Sequence, residues 1–188
     1  IIQEVIPVDG RYPFSACFLY LGGQKYTTLT VCRLRQHPVD FGNATTYAEV
    51  SDSPEPEQYG ERLLQAAGYN GLCEVEFKRD ARDGTFRLLE VNPRTWKWHI
   101  IAEKTGTPFI PLLFDHLAGL PVVPVEGYSK ASFCHAATDI PVRLVLFFRG
   151  ARYWKRRVRP VQDAVWAPDD PAPWFFEKLY LPDFIINR

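Results

Sequence analysis

Three side chains with hard oxygen donors, Glu76, Glu90 and Asn92, sit where one divalent cation could meet them. They belong to Gly71-Leu-Cys-Glu-Val-Glu-Phe-Lys-Arg-Asp80 and Arg82-Asp-Gly-Thr-Phe-Arg-Leu-Leu-Glu-Val-Asn-Pro-Arg94. Val75, Phe77, Leu88, Leu89 and Val91 supply strand-forming bulk. Asp83-Gly84 supplies a tight turn. The stretch therefore reads as a hairpin. Successive side chains along a strand alternate faces, so Glu90 and Asn92 share one. Directly opposed residues also share a face, so Glu76 joins them if even numbers oppose even numbers across the turn. A one-residue slip sends it to the other side. Glu90 interrupts the apolar run Phe86-Arg-Leu-Leu-Glu-Val, and carboxylates inside apolar surroundings are commonly paired or metal-bound. One or two carboxylates plus an amide carbonyl suit Mg²⁺, which shares its shell with substrate phosphates. The alternative is the polar face of a half-exposed hairpin, with Glu76 and Glu90 paired to Lys78 and Arg94.

These residues resemble a known family. A strand carrying Glu76-Phe77, followed by one ending Leu89-Glu-Val-Asn-Pro-Arg94, is similar to the metal-binding signature of the ATP-grasp superfamily, in its carboxylate–amine ligase-like branch. Ile1-Ile-Gln-Glu-Val-Ile-Pro7 resembles the hinge strand that carries adenine there. The resemblance extends through Phe14 to Tyr20, Arg33-Leu-Arg-Gln-His-Pro38 and Gly68-Tyr-Asn-Gly71. It implies an α+β fold, with a mostly antiparallel sheet and flanking helices, forming the C-terminal portion of an ATP-grasp fold. Residues 1–120 would be that portion, and 121–188 an extension packing on it.

The same resemblance implies roles. Glu76, Glu90 and Asn92 would hold Mg²⁺, with Mn²⁺ as an alternative. Arg94, and Arg33 or Arg35, would contact phosphates or the substrate carboxylate. Gln3, Glu4, Val5 and Ile6 would carry adenine, and Asp9 the ribose. The activity implied is ATP-dependent activation of a carboxylate as an acyl phosphate, captured by an amine or thiol. Its partners would be ATP, a small carboxylate and a preceding part of the same protein, with a homodimer allowed. The family's upstream lysines and glycine-rich loop are expected in that preceding part, so the chain alone is expected to be inactive. A non-catalytic nucleotide-binding or regulatory module is the second reading.

Bulk properties set limits. Hydrophobic residues are 46% and aromatics 14% of 188 residues, which places the chain among globular domains with a real core. The formal net charge is zero, which argues against a general nucleic-acid or membrane-surface binder. The basic run Arg149 to Arg159 is expected to pair with nearby acids and not to hold nucleic acid. Cys17, Cys32, Cys73 and Cys134 lie far apart without metal-site spacing, as expected of reduced thiols in a cytoplasmic protein.

Residues 1–7, 14–20, 25–34, 122–125 and 142–148 read as strands, and 36–46 as a loop. Helices are expected from a Ser53 cap to Gly68, from Trp96 to Lys104 and over Ile110 to Leu117. Trp174 to Ile186 reads as an apolar tail that packs back.

Overall fold

The computed structural model describes residues 2, 4–7, 13–40, 42, 44–151 and 160–186. Its centre is a seven-stranded sheet in the order β5-β4-β1-β2-β3-β6-β7. The strands are β1 (Phe14–Leu21), β2 (Gln24–His37), β3 (Ala44–Val50), β4 (Gly71–Arg79), β5 (Phe86–Asn92), β6 (Ser132–Cys134) and β7 (Val161–Asp163). The β6–β7 pairing is parallel and the others are antiparallel. The helices are α1 (Glu55–Ala66), α2 (Ile101–Thr105), α3 (Phe109–Leu117), α4 (Ala136–Phe148) and α5 (Ala172–Ile186). The architecture is α+β, as expected. Elements from beyond residue 120 extend the same sheet, because β6 pairs with β3.

Alternation along β1 divides the core. Cys17, Leu19 and Leu21 pack with Leu29, Val31, Trp96, Trp98, Ile101, Phe109 and Leu112 on the face covered by α2 and α3. Phe14, Ala16, Phe18 and Tyr20 pack with Leu64, Val75 and Phe77 on the face covered by α1. Gly60 permits the close seating of α1, since a Cβ there would lie 2.6 Å from the Phe18 ring. All four cysteines are buried, and none is in a disulfide.

Several local expectations fail, for physical reasons. Residues 4–7 form no strand. Glu4 instead pairs with Arg82 at 2.5 Å, Pro7 accepts from the Ala81 amide, and Val5 is exposed. Residues 44–46, read as the end of a loop, open β3, with Thr45, Thr46 and Tyr47 buried. Residues 122–125 lie outside any strand or helix. Residues 142–148 end α4 and are not a strand. A short apolar run does not separate buried helix from buried strand. Here Asp139, Val142 and Leu146 form the buried stripe of a helix. Helix α2 starts only at Ile101, after a turn. Pro54, and not Ser53, precedes α1.

Candidate functional site

The hairpin β4–β5 has the register on which the site depends. Lys78 opposes Arg87 and Phe77 opposes Leu88, but Glu76 opposes Glu90 and Glu74 opposes Asn92. The change of phase is a bulge, in which Leu89 is the extra residue. Without it Glu76 would oppose Leu89, and Glu90 would point to the other face. With it, Glu74, Glu76, Glu90 and Asn92 share the face of Cys17 and Ser15, their partners on β1.

Side-chain contacts make the cluster continuous. Arg33 Nη2 donates to Glu76 Oε1 at 3.2 Å. Asn92 Nδ2 donates to Glu90 Oε1 at 2.9 Å and reaches Glu74 Oε2 at 3.4 Å. Arg94 Nη2 donates to Asn92 Oδ1 at 3.2 Å. Two cations therefore flank three carboxylates and an amide. Lys78 shares the face of Glu76, two positions along β4, but the cation that pairs with Glu76 is Arg33. Among the described residues, no three Asp, Glu, His or Cys side chains converge as one metal-holding group. The set facing a cation here would be two opposed carboxylates and an amide.

Burial falls differently from the sequence-based expectation. Glu90 lies exposed on β5, the sheet's edge strand, and its neighbours Leu88, Leu89 and Val91 are exposed too. The buried carboxylates are Glu74 and Glu76 on β4, which is flanked on both sides. Glu74 is 3% exposed, and its Oε1 has no hydrogen-bond partner. Burial pushes its carboxyl from the ordinary 4.5 to about 7, and Glu76 adds to the shift, against Ser15, Arg33 and Arg94. Burial also raises Glu76, against the pull of Arg33. Sequence reading passed over Glu74. Its signal was available, since Glu74 and Glu76 are i, i+2 on a strand that otherwise carries Leu72, Cys73, Val75 and Phe77. Lys97 was also passed over. Burial pushes its amine below the usual lysine range, Glu177 opposing and Arg33 adding to that shift.

The pH dependence of Glu74 has a definite sign. A folded-state pKa above the unfolded one means that the protonated acid favours the fold. That contribution is complete below about pH 4.5 and is lost as pH rises through about 7. Glu74→Gln, a neutral mimic, should be about 3 kcal/mol more stable than wild type at pH 8.5 and no more stable at pH 4. Urea unfolding with a chelator present measures this. Equal stability at both pH values would contradict it.

The remaining candidates scatter. Arg35 is not brought to this cluster. A bulge in β2 sets Arg33 opposite Ala48 but Arg35 opposite Tyr47, on the other face. There Arg35 is fully buried, with Nε and Nη2 donating to the two Asp139 oxygens at 2.7 and 2.9 Å and the guanidinium 3.9 Å from the Tyr47 ring centroid. Such a pair holds α4 to the sheet and leaves no free fork for phosphate. Glu4, Val5 and Ile6 lie toward the turn end of the hairpin, beside Ala81 and Arg82. Gln3 and Asp9 lie outside the described residues, as does most of the basic run, residues 152–159. Arg149, at its start, pairs with Asp40 at 2.8 Å. Among the described residues, no helix is long and apolar enough to cross a membrane.

A family comparison covers this hairpin. Residues 57–117, from α1 to the end of α3, match the family described as carbamoyl-phosphate synthase L chain, ATP binding domain. This segment is thus similar to an ATP-grasp domain, and the chain has an ATP-grasp-like α+β fold. A curated relative, the carbamoyl phosphate synthase arginine-specific large chain of Geobacillus stearothermophilus, is 29% identical over 125 residues, 61% of this chain and 11% of the relative. Among solved structures, the pyruvate carboxylase of Rhizobium etli aligns with a TM-score of 0.53 at 21% identity, over 66% of this chain and 14% of that one. The phosphoribosylaminoimidazole carboxylase ATPase subunit of Aquifex aeolicus aligns with a TM-score of 0.52 at 18% identity, over 66% of this chain and 40% of that one. The chain thus spans between 11% and 40% of the length of these proteins.

Proposed function

We propose that the chain is the metal- and phosphate-binding part of a Mg-ATP-dependent ligase that activates a carboxylate. The observation that carries this is the opposition of Glu76 and Glu90 on one face, with Asn92 beside them and Arg33 and Arg94 flanking. The donor set fits the ion. Mg²⁺ takes hard oxygens, uses one or two carboxylates, and completes its shell with water and phosphate. Glu76, Glu90 and Asn92 would hold it. When bound, the ion neutralises charge on the phosphates of ATP.

The protein's own groups do the rest by position. Arg94 and Arg33 are placed to bind a planar array of phosphate or carboxylate oxygens in bidentate fashion. To do so they leave their present acceptors, Asn92 Oδ1 and Glu76 Oε1. A substrate carboxylate oxygen attacks the γ-phosphorus, the bond from γ-phosphorus to the bridging oxygen breaks, and ADP leaves. An amine or thiol then attacks the acyl carbon, losing its proton as phosphate departs. Catalysis of such a step is mainly orientation and charge stabilisation. The ATP-grasp fold and the similarity to a carbamoyl phosphate synthase large chain support this class of chemistry.

Hydroxylamine trapping tests the proposal. The whole protein that carries this chain, incubated with ATP, MgCl₂ and a panel of small carboxylic acids, should release ADP and form a hydroxamate with at least one acid. ATP binding without a hydroxamate from any acid would favour the non-catalytic module.

A further inference from the structure

Glu74 lies two positions along β4 from Glu76 and directly opposite Asn92, yet nothing in the proposed chemistry uses it. It is 3% exposed, with one oxygen unpartnered and the other 3.4 Å from Asn92 Nδ2. A buried acceptor left unpaired costs free energy, more so for a charged group, and so asks for an explanation. The Ser15 hydroxyl on β1 is the nearby donor for the carboxyl, and Asn92 across the hairpin engages its other oxygen. Asn92 Nδ2 stands between two carboxylates, Glu90 at 2.9 Å and Glu74 at 3.4 Å. A primary amide has two faces of opposite character, and which one meets a cation depends on what holds its NH₂ group. While Nδ2 rests on Glu90, it occupies an oxygen that a cation would need. Once Glu90 turns to a cation, Glu74 is the acceptor that remains for Nδ2, and Asn92 Oδ1 is left to the ion.

We propose that Glu74 is a positioning residue: by accepting from Asn92 Nδ2 it frees Glu90 and orients the Asn92 amide oxygen toward a divalent cation. The inference rests on the metal assignment above. Glu74 acts as a hydrogen-bond acceptor, so either its ionised or its neutral carboxyl serves, as does an amide carbonyl. Residues that orient metal ligands are worth about ten- to a hundredfold in metal affinity.

Mn²⁺ titration of the chain tests this, read from the electron paramagnetic resonance signal of free aqueous Mn²⁺, with circular dichroism to check the fold. Glu74→Met, close in size but lacking an acceptor oxygen, should weaken Mn²⁺ about tenfold or more. Glu74→Gln should stay within about threefold of wild type, because its carbonyl still accepts. In an Asn92→Asp background there is no NH₂ group to hold, so Glu74→Met should have no further effect. Equal losses in Glu74→Gln and Glu74→Met would make Glu74 a charged ligand and overturn the positioning role. A Glu74→Met effect that persists beside Asp at position 92 would overturn it too. If Glu90→Gln loses Mn²⁺ binding while Glu74→Met keeps it, only the role of Glu74 falls. If the wild-type chain binds no Mn²⁺, the metal assignment falls with it.

Discussion

Asp139→Ala is expected to destabilise the fold by about 3–5 kcal/mol, the cost of breaking a buried ion pair and leaving one charge behind. Asp139 is 1% exposed and Arg35 is 0% exposed, so neither reaches water. Besides the two bonds from Arg35, Asp139 Oδ1 accepts from Thr46 at 3.0 Å, and Cys134 Sγ lies 3.6 Å from Oδ2. The carboxylate thus joins α4 to β2, β3 and β6. Removing it leaves the Arg35 guanidinium buried against Tyr47 with its main counter-charge gone. Domain stability is about 5–15 kcal/mol, so this single loss could consume a large fraction of it. Replacing both partners with apolar residues should cost much less, because no orphaned charge remains. Denaturant midpoints for Asp139→Ala and for Arg35→Met with Asp139→Leu measure the difference. A double variant as unstable as the single one would show that the contacts around the pair, and not the orphaned charge, dominate. Arg35→Met, alone or paired, is not expected to remove phosphate contacts.

Glu90→Gln should lower ATP-dependent turnover of the whole protein by about a hundred- to a thousandfold, with folding unchanged. Phosphoryl transfer relies on charge stabilisation, and loss of one well-placed electrostatic group in an active site costs about 10²–10³ in rate. Gln keeps the shape but loses the negative charge a hard cation prefers. Glu90 is exposed on an edge strand, so the substitution disturbs no packing. Surface changes of that kind stay within about 0.5 kcal/mol. Turnover assays beside thermal unfolding separate the two effects. Retained turnover at saturating Mg²⁺ would remove Glu90 from the ligand set. A fall in stability equal to the fall in rate would make the effect structural.

The chain's own residues made much of this legible. Glu76, Glu90, Asn92 and Arg94 stand in a spacing that two paired strands convert into proximity, and Asp83-Gly84 marks the turn that pairs them. Alternation and turn chemistry are local, so they can be read without a structure. Burial was harder to read. An apolar run around Glu90 suggested an enclosed carboxylate, but an edge strand has no neighbour on one side. Glu90 is therefore exposed, and the enclosed acids are Glu74 and Glu76 on flanked β4. Strand order depends on contacts distant in sequence, and no window of residues contains it. The same holds for 142–148, which continue a helix whose Asp139 is held by Arg35, more than a hundred residues away.

Two bulges mark the boundary between what the residues determine alone and what tertiary structure decides. The residue types and their spacing determined that carboxylates, an amide and arginines would meet around one hairpin. They left open which share a face, since one inserted residue reverses the alternation of everything beyond it. The bulge at Leu89 brings Glu90 and Asn92 to the side of Glu76. The bulge between Arg33 and Arg35 keeps Arg33 on Glu76 and sends Arg35 through the sheet to Asp139. Both register changes are properties of a strand's pairing with its neighbour, which only the folded chain supplies.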